Sequence, residues 1–223
     1  MSLGATKFGL STSYDLFREL KHDSELLLIQ RPETQDEQRL EEYEAFNFFV
    51  TAWHLHKDWL GSESIEKPIH SLSKIAAAHP HMKEIRHAIR DIANGSKHFA
   101  LDETPKIFID PREISSFYAY FFGPQYAIDT KSFHFLMYEL VDVVMDYFEW
   151  IFDDESPGAV PVAILEKLEK AKELRLAREN ARKRRFLKQN LLESLQFRRR
   201  LWVENGLCSR REEHAFEEAR MRT

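Results

Sequence analysis

The chain has 223 residues, 43% of them hydrophobic and 31% charged, with a formal net charge of −5. That much apolar material builds one sizeable core and excludes a disordered chain. With 7 glycines and the single cysteine Cys208, a many-turned all-β fold and a disulfide scaffold are excluded as well.

The charge is unevenly spread. Residues 161–223 hold 17 Lys and Arg against 10 Asp and Glu, whereas residues 1–160 hold 15 against 27. An acidic body with a basic extension is expected. No apolar run reaches the roughly 20 residues that span a bilayer. The opening MSLGATKFGL has no apolar signal region. A cytoplasmic, reducing location without a membrane partner is the expectation.

In chain order, STSYDLFRELKHDSELLLIQR predicts a first helix, with Ser13 as N-cap and Leu16, Leu20, Leu26 and Leu27 on its apolar side. DEQRLEEYEAFNFFVTAWHLHKDWL predicts a long, aromatic second helix ended by Gly61. Its apolar residues lie on several sides, so it should be central. A short third helix, KPIHSLSKIAAAH, is followed by a fourth that Pro80 starts, with Ile85, Ile89 and Ile92 or Ala93 facing inward. LDETPKIFIDPREISSFYAYFFGPQYAID lacks helical period and reads as an irregular or hairpin connection. TKSFHFLMYELVDVVMDYFEWIF is another apolar helix. DDESPGAVP is the clearest linker. Beyond it a long charged helix runs from Val162 to Gly206, and Ser209 with Glu212 has capping-box spacing. The expected fold is all-α: an antiparallel helical bundle over residues 1–155, with a small irregular or β-hairpin insertion, and a basic helical extension over 156–223.

Two polar stripes stand out. In the fourth helix Arg90, Asn94 and His98 are spaced i, i+4, i+8, with His87, Asp91 and Lys97 beside them. An imidazole near neutral pH can pass a proton, and Arg90 or Lys97 can hold a phosphate while Asn94 orients it. Equally, Asn94-Gly95 is a helix C-cap signature, and Arg90 can be a solvated surface charge. In the second helix Glu44, Asn47, Thr51, His54 and Asp58 form a stripe that must be paired if buried. It can face the fourth helix, either as a register-fixing network or as the wall of a site between helices.

Other chemistries have less to stand on. His54 with Asp58 and His79 with His81 are two-ligand pairs without a third at a recognised metal spacing, so no metal site is expected. There is no Walker A loop, no G-x-G-x-x-G and no G-x-S-x-G, and no cofactor is expected. Residues 175–200 carry ten Lys and Arg, with Arg184, Arg185 and Arg199 in the densest runs. Leu187, Leu191 and Leu195 make an apolar stripe there. Docking on a protein partner or a second copy comes first for this helix, nucleic acid follows, and membrane comes last.

The segments EAFNFFVTAWHLHKDWL and IRDIANGSKHFALD resemble small helical prokaryotic proteins with an Asn–X–X–Lys–His-type motif, and more broadly the HEPN superfamily. The resemblance covers about residues 12–152. It implies a helical bundle associated with toxin and phage-defence systems. It also implies a homodimer whose two copies form one metal-independent ribonuclease site, with His98 as acid/base, Arg90 and Lys97 on the phosphate and Asn94 orienting. Seven residues separate Arg90 from His98, one more than the HEPN spacing, and Ala93 stands where the motif Arg would precede Asn94. Many HEPN-like domains only bind nucleic acid, nucleotides or proteins. The leading expectation is an RNA-directed ribonuclease of a toxin or phage-defence system acting as a dimer; the alternative is a non-enzymatic module that binds protein or RNA through its basic helix.

Overall fold

The computed structural model describes residues 10–29, 35–95, 108–113, 125–156 and 158–204. It is mostly helical with one small sheet. Helices α1 (Ser13–Ile29), α2 (Gln35–His54) and α3 (Ser71–Gly95) precede strands β1 (Phe108–Glu113), β2 (Gln125–Asp129) and β3 (His134–Leu136). Helices α4 (Met137–Phe152) and α5 (Val162–Glu204) follow. The strands form an antiparallel sheet in the order β1-β2-β3. Contacts divide the chain into two units, residues 1–175 and 176–223, with α5 contributing to both.

In the first unit α4 is the centre. Ten of its sixteen residues are buried, from Leu140 to Phe152. α1, α3, β2 and β3 all pack on it, and α2 packs between α1 and α3. Phe152 stacks on Phe17 at 4.4 Å and meets Tyr14 edge-on at 4.9 Å, which seats α1. Leu16, Leu20 and Leu27 bury as expected; Leu26 is exposed, because it lies one position outside the i, i+4 stripe.

Several elements differ from the sequence expectation, each for a local reason. Thr12, not Ser13, caps α1. Its hydroxyl accepts from Asp15 N at 3.2 Å, and the Asp15 carboxylate accepts from the backbone of Ser11 and Thr12. Those hydrogen bonds pull the Asp15 carboxyl down to about 2. Ser13 instead donates to the Glu66 carbonyl at 2.6 Å. The third and fourth expected helices are one helix, α3, with Pro80 inside it. Ala76 and Pro80 are both exposed, so the carbonyl that Pro80 leaves without its helical N–H is on the water side. The final apolar helix begins at Met137, not Thr130, because His134–Leu136 pairs with β2. The expected small β insertion is present as the antiparallel pair β1–β2, and β3 adds a third strand to it; SFYAYFF, at 116–122, lies outside the described residues. The unit boundary falls at 175/176, not at the DDESPGAVP linker, because Ile164, Leu168 and Ala171 of α5 are buried in the first unit's core.

Two polar contacts register the body. Glu84 on α3 accepts from Thr130 Oγ1 at 2.5 Å and Ser132 N at 2.6 Å, tying the β2–β3 turn to α3. Burial raises the Glu84 carboxyl, but these hydrogen bonds outweigh it and hold it below its ordinary value. Lys74, also on α3, is wholly buried. Its Nζ donates to the Trp150 carbonyl at 2.7 Å and to the Asp153 carbonyl, and lies 5.6 Å from the centre of the Trp150 ring. A cation there satisfies the last carbonyls of α4 and suits the negative end of its dipole. Lys74→Met keeps the stem and removes the donor. It is expected to lower unfolding stability by about 2 kcal/mol, read from the urea midpoint at unchanged slope.

Candidate functional site

A cleft of about 410 Å³ opens between the α2 end of the chain's second helix and α3. α2 continues into a π-helical turn, Leu55–Trp59, which adds one residue per turn and then stops at Gly61. A Cβ on Gly61 would come within 2.5 Å of the Lys57 carbonyl, so only glycine fits this close turn. The turn sends His56 toward α3. Arg86 Nη1 donates to His56 Nε2 at 3.1 Å. An arginine can only donate, so Nε2 accepts and the ring is neutral with its proton on Nδ1, which faces the Tyr147 hydroxyl at 3.4 Å. Burial, and then the Arg86 charge, lower the His56 pKa to about 4. Burial pushes the Tyr147 phenol up, so it is un-ionised at neutral pH.

The cleft is cationic. From α2 and its turn come His56 and Lys57; from α3 come His79, Lys83, Arg86, His87 and Arg90; among the described residues no carboxylate lines it. Arg86 Nε is buried without a hydrogen-bond partner. This sits in a body whose first 160 residues are acidic in sum. Trp53, Leu60, Leu72 and Ile75 supply the remaining wall. Cations concentrated in a concave site focus field on an incoming anion.

The sequence-predicted residues distribute unevenly over it. His87 and Arg90 line the cleft. Arg90 is also held by its neighbour: Nε and Nη2 donate to Asp91 Oδ1 at 3.0 and 2.8 Å, and Asp91 is buried. Asp91 thus acts as a carboxylate anchor for Arg90. Asn94 is half-buried in the last turn of α3. Lys97 and His98 lie outside the described residues. The α2 stripe does not face α3. Asn47 is exposed, and Thr51 donates to Asp23 of α1 at 3.3 Å. His54 Nδ1 and Asp58 Oδ2 form a surface pair at 2.6 Å, with 39% and 47% of their side chains exposed. The expected interhelical polar network at Asn47, His54 and Asp58 is therefore corrected; the residue that crosses to α3 is His56, which regular helical counting had left off the stripe. Among the described residues no three His, Cys, Asp or Glu side chains assemble as a metal site. Arg184 and Arg185 are exposed on the second unit's part of α5, whereas the Arg199 side chain lies outside the described residues.

Two of the missed residues were legible. His79, Lys83, Arg86 and Arg90 are spaced i, i+4, i+7, i+11, one helical line that continues toward Asn94. Treating Pro80 as a helix start cut that line in two. Comparison with protein-family models, curated proteins and solved structures returns no match for this chain.

The neutral His56 makes the fold pH-sensitive. An unfolded histidine takes up its proton near pH 6.5, whereas His56 in the fold does so only near 4. Its contribution is complete above about pH 6.5 and is lost as pH falls toward 4, by no more than about 3 kcal/mol. Urea melts from pH 7.5 to 4 should lose stability over that window, and His56→Gln should flatten this part of the profile.

Proposed function

We propose that this chain is an RNA-directed protein of HEPN-like type whose α2–α3 cleft holds backbone phosphate. One observation carries the reading: Lys57, Lys83, Arg86 and Arg90, with three histidines, line the cleft, and among the described residues no carboxylate does. Such a wall neutralises phosphate and releases its counterions. Arg86 presents a planar fork suited to phosphate oxygens, fixed on one side by neutral His56. Lys97 and His98 follow the end of α3 by two and three residues. In this reading His98 takes the proton of an RNA 2′-hydroxyl, whose oxygen bonds to phosphorus as the bond to the 5′-oxygen breaks. That oxygen leaves taking a proton from water, and the product end is a 2′,3′-cyclic phosphate. Lys97, Arg90 and Arg86 hold the charge that builds on the phosphate, and Asn94 orients it.

Cleavage of total RNA by the purified protein in EDTA tests this reading. Wild-type cleavage, lost at least about a hundredfold in His98→Ala at unchanged melting temperature, is expected. RNA binding that survives without cleavage in wild type would leave a binding protein. Absence of both binding and cleavage would overturn the reading.

A second reading, a helical interaction module, has its own observation. On the second unit Phe186, Leu187, Leu191 and Phe197 are 53–66% exposed beside Arg184 and Arg185. An amphipathic helix with its apolar side in water is suited to self-association. The full chain is expected to sediment as a concentration-dependent dimer. Leu187→Asp with Leu191→Asp should shift it to monomer.

A further inference from the structure

The fixed charges of the α2–α3 cleft are gathered at one level. His56 and Arg86 meet at 3.1 Å and set that level. Lys57 follows His56 in the chain, and Lys83 precedes Arg86 by three residues, about 4.5 Å along α3. Both lysines line the cleft and both are exposed. Three permanent cations thus leave the backbone within about one helical turn of a single contact.

What holds these cations does not cancel them. Arg86 donates to a neutral His56. The Lys57 ammonium lies 5.8 Å from the centre of the Trp53 ring, a contact that steadies a cation and leaves its charge. The carboxylates next to them in sequence are engaged elsewhere: Asp58 pairs with His54, and Glu84 accepts from Thr130 and Ser132. Arg90, one turn further along α3, differs, because Asp91 already pairs with it. The second cleft, of about 230 Å³ beside α4 and α5, differs too. There Lys167 lies 2.6 Å from both Asp142 and Asp146.

On one side of this level the cations stop. Beyond Lys83 the α3 wall of the cleft offers His79, then Ile75 and Leu72. Ile75 is about 12 Å from Lys83 along the axis. A strand continuing that way would carry its next phosphates onto apolar wall, where they lose hydration and gain no cation. The charged line runs only the other way, through Arg90 toward the end of α3.

Charge gathered at one level, with an apolar wall beyond it, suits the end of a strand. An internal diester brings one negative charge to that level. A terminal phosphate monoester brings about 1.5 to 2 at neutral pH, with three outer oxygens and no continuation. Resting on the RNA reading above, we propose that Lys57, Lys83 and Arg86 seat the terminal phosphate monoester of an RNA strand. The body of the strand leaves past Arg90.

The test uses the full-length protein near neutral pH, at fixed ionic strength and in EDTA. Its ligands are inorganic phosphate and one internally fluorescent 2′-O-methyl RNA decamer, which has no 2′-hydroxyl to attack and so stays whole. The decamer is made with hydroxyls at both ends, with a 5′-phosphate, or with a 3′-phosphate. One phosphorylated form should bind at least about tenfold tighter than the hydroxyl form, and which one it is names the end. Lys57→Gln with Lys83→Gln, at two exposed positions, should erase that preference at unchanged melting temperature. Equal affinity for all three forms would overturn the end seat and leave the RNA reading standing. A preference that survives in the double variant would overturn these lysines as its seat. Inorganic phosphate bound by wild type and lost in the double variant, in a protein that binds no form of the decamer, would support the phosphate seat and overturn the RNA reading. Binding of none of these ligands would overturn both.

Discussion

A buried ammonium closes the end of the most apolar helix in this chain. Ten of the sixteen residues of α4 are buried, and a backbone acceptor left unpaired in an apolar interior is costly. Lys74 meets that demand from α3, donating to the Trp150 and Asp153 carbonyls. The contact also sets where α3 lies along α4. Ten residues further on, Glu84 pins the same helix to the β2–β3 turn. With α3 tied at two points, its outward line from Leu72 to Arg90 has a defined place against the turn that ends α2.

The cleft then follows from two departures from regular helix. The π-helical turn at Leu55–Trp59 rotates the phase of α2, so that His56 reaches Arg86 while His54 stays at the surface with Asp58. Pro80 stays inside α3 because its side of the helix is solvated. Without that continuity the apolar and cationic parts of the wall would belong to different elements. His56 is neutral because it is enclosed beside a guanidinium, and that neutrality lets it accept from Arg86. The arrangement holds a charge in place without cancelling it.

The basic lining of the cleft stands out against the acidic sum of residues 1–160. Elsewhere in the first unit basic side chains are matched locally, Lys167 by Asp142 and Asp146 and Lys74 by backbone carbonyls. Burial lowers the Lys167 pKa, and these two partners more than restore it. Arg90 follows the same rule through Asp91, so the unmatched charge of the cleft rests on Arg86, Lys83 and Lys57. The second unit is different in kind: a basic helix with exposed leucines and phenylalanines, described by its own composition and surface.

Much of the helical content was determined by the sequence alone. The 3.6-residue recurrence of apolar side chains marks α1, α2, α4 and α5, and the stop at Gly61 follows from glycine itself. Such signals are local, and local sterics express them. His87 and Arg90 were legible as members of a polar face for the same reason. What the tertiary structure decided is everything that depends on which surface a residue meets. Pro80 is harmless because its turn faces water. His134–Leu136 is a strand because β2 offers it a ladder. Ile164, Leu168 and Ala171 carry α5 past the linker because the first unit's core accepts them. His56 faces Arg86 because one extra residue in a turn moved it there. None of these follows from a helical window alone, since what decides each is the surface the residue meets: water at Pro80, β2 at His134–Leu136, the core at Ile164, and Arg86, thirty residues on, at His56.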